Sequence, residues 1–376
     1  MSHVGAAEKQ LRLADPRLGP EAVQAVERVL NSGHLTMGPC VAEFEDLVAR
    51  YVGVPHAVAV SSGTAALQIA ISALGVGVGD EVIVPDFTHP ATGNAVLACG
   101  ADVRLVDVRP DTFAIDVDAI QRAWTSRTKM IIAVDPFGLP ADYRALEALA
   151  RKHGVALLAD AACSIGAKVG DRRAGAIGDA ACFSFHPRKI LTTGEGGMVL
   201  TSSGATAERL RRLRNHGAEV ADGRRRFVEP GLNVRMSDIQ AALGAAQMPR
   251  LDEILVRRAH VANRLLAGLD QVDGVIAQSV PPGVTTSWQA FVVRLDRRID
   301  RDAVVARLAA AGVESTIGTY ALHREPAFAT FAGAADDLDV SAQLADTSLA
   351  LPLHPRLTDD DADRIIFQLR RAVRSD

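Results

Sequence analysis

Three groups of residues in this sequence could act together on one small molecule. Lys189 lies in Ser184-Phe185-His186-Pro187-Arg188-Lys189-Ile190-Leu191-Thr192-Thr193-Gly194-Glu195-Gly196-Gly197, between a hydroxyl-bearing approach and a glycine-rich exit. A primary amine held out of bulk water in such a loop loses basicity and becomes a nucleophile toward carbonyl carbon. Asp160 ends the apolar run Val155-Ala156-Leu157-Leu158-Ala159, so a strand would deliver its carboxylate. Ser61-Ser62-Gly63-Thr64 joins an apolar stretch, Ala57 to Val60, to a helical one, Ala65 to Leu74. Small residues at a helix N-terminus offer free N–H groups and the positive dipole end, which suits a phosphate. Each feature alone has an ordinary explanation: a solvated loop lysine, a helix-capping aspartate, a Ser-Gly-Thr cap. A phosphate cradle, a strand-end aspartate and a loop lysine, in that chain order, are together what pyridoxal 5′-phosphate needs.

The elements that must position these groups follow from the hydrophobic pattern. Short apolar runs at Val58–Val60, Val82–Val84, Val103–Val106, Met130–Val134, Val155–Ala159, Ala181–Phe185 and Met198–Leu200 alternate with helical stretches such as Tyr143–His153. That alternation predicts a largely parallel sheet with crossover helices, an α/β fold in which reactive groups sit on loops beyond strand ends. Pro20 to Leu30 reads as a helix whose apolar face is Val23, Val26, Val29 and Leu30, and a second helix runs from Pro39 to Tyr51-Val52-Gly53. Gly75-Val76-Gly77-Val78-Gly79 follows a helix and precedes a strand, the reverse of a dinucleotide fingerprint, and reads as a connection. Ser237 to about Leu266 reads as one or two long helices broken at Pro249. Beyond it, Trp288–Leu295 reads as a strand, and Arg301–Ala311 and Asp359–Val373 as helices. The expected division is a large α/β domain over residues 1–250 and a smaller C-terminal α+β domain over 251–376.

Five motifs carry a resemblance to a known family. They are Ser32-Gly33-His34-Leu35-Thr36-Met37-Gly38-Pro39, Ser61-Ser62-Gly63-Thr64-Ala65-Ala66-Leu67, Asp160-Ala161-Ala162, the lysine segment, and Asn233-Val234-Arg235-Met236-Ser237-Asp238-Ile239-Gln240-Ala241-Ala242-Leu243-Gly244. In register, from about Leu18-Gly19-Pro20 to His323-Arg324-Glu325-Pro326, the sequence resembles the DegT/DnrJ/EryC1/StrS family of fold-type I pyridoxal-phosphate aminotransferases. The resemblance implies that Lys189 binds the cofactor aldehyde as an imine and then serves as the proton-moving base. It implies that Asp160 keeps the pyridine nitrogen protonated, sustaining the ring as an electron sink. Gly63, Thr64 and Ser184 would bind the phosphate, with Asn233 reaching it from the neighbouring subunit of a homodimer. His89 stands where the family commonly stacks a larger aromatic ring on the cofactor, with Phe87 as the competing candidate. Cys163 replaces a common glutamine and would face the phenolic-oxygen side of the cofactor, or fill space as a small buried residue. His34, Tyr320 and His323 would approach the substrate. The implied reaction moves an amino group from glutamate or glutamine to a keto-sugar, with a nucleotide-linked sugar favoured. Alternatives are a carbocyclic ketone or a non-catalytic cofactor-binding regulator. A 3-dehydratase is disfavoured because such relatives carry histidine at the position of Lys189.

Composition bounds the remaining possibilities. The chain has 376 residues, 23% charged and 48% hydrophobic, with net charge −4, which gives no basis for nucleic-acid binding through bulk positive charge. Its four cysteines show neither C-x-x-C pairing nor metal spacing, so neither a metal site nor a disulfide is expected. Residues 1–10 lack the apolar core of a signal peptide and no apolar run is long enough to span a bilayer, so a cytoplasmic protein is expected. The run Arg224-Arg225-Arg226 is the most basic patch and reads as a solvated loop, with a contact to a nucleotide-sugar diphosphate as the alternative.

Overall fold

The apolar runs become one mixed sheet. In the computed structural model, which describes residues 9–16, 18–331 and 338–374, its strands are His56–Val60 (β1), Glu81–Pro85 (β2), Asp102–Val106 (β3), Thr128–Val134 (β4), Ala156–Asp160 (β5), Ala180–Ser184 (β6) and Gly197–Thr201 (β7). The spatial order is β1-β7-β6-β5-β4-β2-β3. β7 runs antiparallel to both neighbours, and all other pairings are parallel. The strands are nearly continuous apolar runs because both faces are covered. Alternate residues divide between those faces. Leu158 and Ile132 pack with Leu67 and Ala70 of the helix Gly63–Ala73, while Leu157 and Ile131 pack with Leu146 and Leu149 of the helix Tyr143–His153. The α/β class with a mostly parallel, helix-covered sheet is as expected. Of the reading made on residues 1–10, residues 1–8 lie outside the described residues.

The C-terminal third builds a second apolar cluster. A four-stranded antiparallel sheet, Val275–Ala277, Phe291–Leu295, Ser348–Leu351 and Thr316–Ile317 in that spatial order, packs with the helices Leu251–Leu269, Arg301–Ala310 and Asp359–Arg374. Leu11, bridged to Val313, is part of this cluster. Pro249 falls in a single 3-10 turn, Met248–Arg250, separating the helices Asp238–Gln247 and Leu251–Leu269.

Three local expectations change. The helix Pro20–Ser32 forms, but it buries Ala22, Ala25 and Val29, leaving Val23 67% and Leu30 57% exposed. Its partner face on the helix Asp238–Gln247 presents Ala242, Ile239 and Ala246, and small residues on both sides let the helices approach closely. The strand expected over 288–295 starts at Phe291, because Trp288 takes a left-handed φ of 51° that no strand accommodates. Arg224-Arg225-Arg226 lies on a strand, not in an open loop: Ala218–Ala221 pairs with Arg224–Phe227 across Asp222 and Gly223, both at positive φ. An Asp-Gly pair flanked by strand residues is the sequence signal for such a hairpin.

Candidate active site

β5 ends on Asp160, whose side chain has gone out of solvent; the residue is 5% exposed. Its Oδ2 accepts a 2.8 Å bond from the Thr92 hydroxyl, and Oδ1 accepts from the Ala162 N–H at 3.3 Å. Burial raises its pKa, opposed chiefly by the Thr92 hydrogen bond and the charge of Lys189. A buried carboxylate in this state is stabilised by any cationic group brought against it.

Lys189 follows β6 in a loop closed by its own backbone. The Lys189 N–H donates to the His186 carbonyl at 2.8 Å, Phe185 N–H donates to Gly196 at 2.9 Å, and Thr193 N–H donates to Phe185 at 2.9 Å. The lysine is half-buried, and its Nζ donates to Cys163 Sγ at 3.0 Å. Cys163 thereby touches the amine itself.

The helix Gly63–Ala73 starts beside these groups. Ser62 is its N-cap, and the Ser62 hydroxyl accepts from Ala65 N–H at 3.1 Å, leaving the first two helical N–H groups, Gly63 and Thr64, without an intrahelical acceptor. A Cβ on Gly63 would sit 2.8 Å from Ser184 Cβ and 3.1 Å from its Oγ. Only glycine lets the Ser184 hydroxyl approach this helix start. On the other side Gly197 passes the Ser62 carbonyl so closely that a side chain there would collide with it.

His89 caps the helix Pro90–Ala98, its Nδ1 accepting from the Ala91 N–H at 3.2 Å. Burial and the Lys189 charge lower its pKa, which keeps the ring neutral. Tyr320 stands edge-on to it, with centroids 6.3 Å apart at 75°. Phe87 is buried against Phe113 and Phe137, with ring centroids at 6.2 and 6.3 Å, and lines the same cavity as His89.

A cavity of about 560 Å³ brings together Gly63, Thr64, His89, Asp160, Cys163, Ser184, Lys189 and Tyr320. His34, Asn233 and His323 do not line it. His34 and Asn233 are exposed, and His323 is drawn away by Asp86, with Nδ1 2.6 Å from Oδ2. Sequence reasoning missed several groups that do line the cavity or act on it. Thr92 orients Asp160 from 68 residues away in the chain, a contact that only the folded sheet creates. Asp135 is buried, accepts from Ser164 Oγ, Tyr143 OH and Ala141 N–H, and is pushed up to about 7 by burial. Burial also lowers the pKa of His186, another cavity residue.

The profile of the DegT/DnrJ/EryC1/StrS aminotransferase family matches residues 16–370. The chain belongs to this family. It is 38% identical over 371 residues to the GDP-perosamine synthase of Caulobacter vibrioides, covering 97% of this chain and 98% of that protein. Among solved structures it is similar to S. venezuelae DesV in complex with a ketimine intermediate, with TM-score 0.92, 36% identity and coverage of 98% and 100% of the two chains. A putative sugar aminotransferase of Streptococcus pneumoniae in its PLP form has TM-score 0.92 and 27% identity, over 97% of this chain and 98% of that one. The protein is a pyridoxal-phosphate-dependent aminotransferase.

The residues present fit that cofactor. Helical amides without an intrahelical acceptor and a hydroxyl line the cavity, which suits a phosphate. A buried carboxylate that gains from a cation suits a protonated ring nitrogen, and a half-buried amine in the same cavity suits an aldehyde. Among the described residues no helix is long and apolar enough to cross a membrane.

Proposed function

We propose that this aminotransferase carries an amino group from glutamate or glutamine to the keto group of a nucleotide-linked sugar. The observation that supports this most is the convergence of Lys189, Asp160 and the Gly63–Thr64 helix start on one cavity. The similarity to a GDP-perosamine synthase along nearly the whole chain favours a sugar bearing a nucleotide.

When bound, the cofactor supplies an electron-withdrawing ring that stabilises negative charge on the carbon that loses its proton. The chain's residues do the rest. Lys189 Nζ would hold the cofactor aldehyde and would serve as the base that moves a proton at the reacting carbon. Cys163 Sγ, 3.0 Å from Nζ, sets where that amine rests. Asp160, oriented by Thr92, would keep the ring nitrogen protonated. Gly63 and Thr64 would hold the phosphate through main-chain N–H groups and Ser184 through its hydroxyl. His89 offers a neutral ring face for stacking, and Tyr320 lies at the substrate end.

We assign Asn233 to the cavity of a second copy in a two-fold homodimer. Asn233 is exposed, and the neighbouring Phe227 (68%), Val228 (49%) and Leu232 (37%) expose apolar surface that a subunit interface would bury. His34, on the exposed loop between the first two helices, belongs to the same face in this reading: Thr36 bridges to Ser237, four residues after Asn233. We divide the chain at about residue 250 into a large cofactor-binding domain and a small C-terminal domain, and give the segment around Leu11 to the small domain's core. The four cysteines are free, which fits a reducing compartment, and we place the protein in the cytoplasm.

The test is to convert the enzyme to its aminated form with glutamate, then present keto-sugars with and without a nucleotide while following cofactor absorbance. Nucleotide-linked keto-sugars should restore the original spectrum fastest. Turnover of a carbocyclic ketone with indifference to the nucleotide would overturn the sugar reading.

A further inference from the structure

Asp86 is a buried carboxylate that the chemistry above leaves unused. It follows β2, its side chain is 0% exposed, and its own N–H donates to the Val106 carbonyl of β3 at 2.8 Å. Three further bonds reach it from two consecutive residues more than two hundred positions away. Leu322 N–H donates to the Asp86 carbonyl at 2.9 Å, His323 N–H donates to Oδ1 at 2.8 Å, and His323 Nδ1 lies 2.6 Å from Oδ2.

The segment is also held by apolar burial, since Ala321 is 2% and Leu322 0% exposed and Leu322 packs in the same apolar cluster as Phe328. The strand Tyr320–Ala321 meets Phe87–Thr88 through only two residue pairs, Tyr320 with Thr88 and Ala321 with Phe87. A two-residue pairing is too short to be stable alone. Tyr320 lines the cavity, is 40% exposed, and stands edge-on to His89. The buried carboxylate is therefore the polar anchor of the segment, beside the apolar one at Leu322, and Tyr320 is what the two together deliver.

We propose that Asp86 and His323 are positioning residues that hold Tyr320 against His89 at the substrate end of the cavity, and so set the affinity for the keto-sugar. His323 acts here through Tyr320 and not by touching substrate, which differs from the direct role the family resemblance implies. Removing the His323 ring donor leaves Oδ2 of the buried carboxylate without its partner, while the His323 N–H still serves Oδ1, and the segment shifts to relieve the unpaired oxygen. This inference rests on the sugar aminotransferase reading of the cavity.

The test compares His323→Leu, which removes the ring donor, with His323→Asn, which keeps an N–H close to the Nδ1 position. In His323→Leu holoenzyme the KM for the keto-sugar should rise roughly tenfold to a hundredfold, the loss expected of one hydrogen bond to a buried charge. Cofactor absorbance and the rate of the glutamate half-reaction should stay near wild type, and His323→Asn should recover most of the affinity. Tyr320→Ala should raise the same KM, and adding His323→Leu to it should change little more, because both act through one ring. Amide hydrogen exchange at Leu322 and His323 should speed up in His323→Leu and not in His323→Asn. A wild-type KM in His323→Leu, or full additivity with Tyr320→Ala, overturns the proposal and leaves the sugar reading standing. If the wild-type enzyme aminates no keto-sugar, the sugar reading fails. The exchange measurement, which needs no substrate, then decides the anchor: unchanged protection in His323→Leu overturns it.

Discussion

Replacing Gly63 with alanine tests the phosphate cradle at its tightest point. The new Cβ would sit 2.8 Å from Ser184 Cβ, 3.1 Å from Ser184 Oγ and 3.4 Å from Ser184 Cα, so the strand end or the helix start must give way. Overpacking of this kind costs about 1–3 kcal/mol. In the cofactor-free protein, alanine's better helix propensity, worth at most about 1 kcal/mol over glycine, offsets part of that cost. Binding has no such offset, because the displaced Ser184 hydroxyl and the shifted amides are the groups assigned to the phosphate. Their misplacement, at about 1.4 kcal/mol per tenfold, weakens cofactor binding roughly fivefold to a hundredfold. The assay is spectrophotometric titration of the apoprotein with pyridoxal 5′-phosphate, alongside thermal unfolding of the same apoprotein. Gly77→Ala is the control, since the nearest heavy atom to a Cβ there is 3.7 Å away. Cofactor affinity in Gly63→Ala equal to that of wild type and of the control would refute the cradle.

Asp160→Asn keeps the shape and the Thr92 contact but removes the charge. The half-reaction with glutamate should slow far more than cofactor affinity falls, because the protonated ring matters most in the transition state, and near-native single-turnover rates would remove Asp160 from the chemistry. His354 is buried, and burial lowers its pKa from 6.5 to about 4, so the unfolded chain takes up a proton that the native protein refuses. Stability from this group is complete above about pH 6.5 and is lost as pH falls toward 4, by up to about 3 kcal/mol at about 1.4 kcal/mol per pKa unit, so melting temperatures of His354→Asn should decline less over that window than those of wild type. Mixing Lys189→Ala with an inactivating Asn233 variant should return about a quarter of native activity, since half the dimers are mixed and each mixed dimer carries one intact site. No recovery after subunit exchange has been shown directly would place Asn233 outside the partner's cavity.

The sheet was legible because its strands are continuous apolar runs, and a strand buried on both faces has no other reading beside alternating helices. Asp160, Lys189 and the Gly63 helix start were legible for the same reason: each sits at a junction that the hydrophobic pattern marks. Contacts that join distant junctions were not. Nothing near Thr92 or Asp86 in the chain points to Asp160 or to His323; the first contact exists only once β4 joins β2 to β5, and the second only once Tyr320–Ala321 pairs with Phe87–Thr88. The inner face of the first helix differs from the pattern because hydrophobicity favours Val23 and Leu30, whereas close packing against Ala242 favours Ala25 beside Val29. Asn233 and His34 carry no local signal for the cavity, and the chain by itself leaves both exposed.

The central claim is that Lys189 is the amine that binds the cofactor. Borohydride reduction of the purified holoenzyme, followed by proteolysis and mass spectrometry, tests it most directly. The account predicts a single reduced cofactor adduct on the peptide containing Lys189, and no adduct in Lys189→Ala. An adduct on Lys168 or any other lysine, or one that persists in Lys189→Ala, would contradict it.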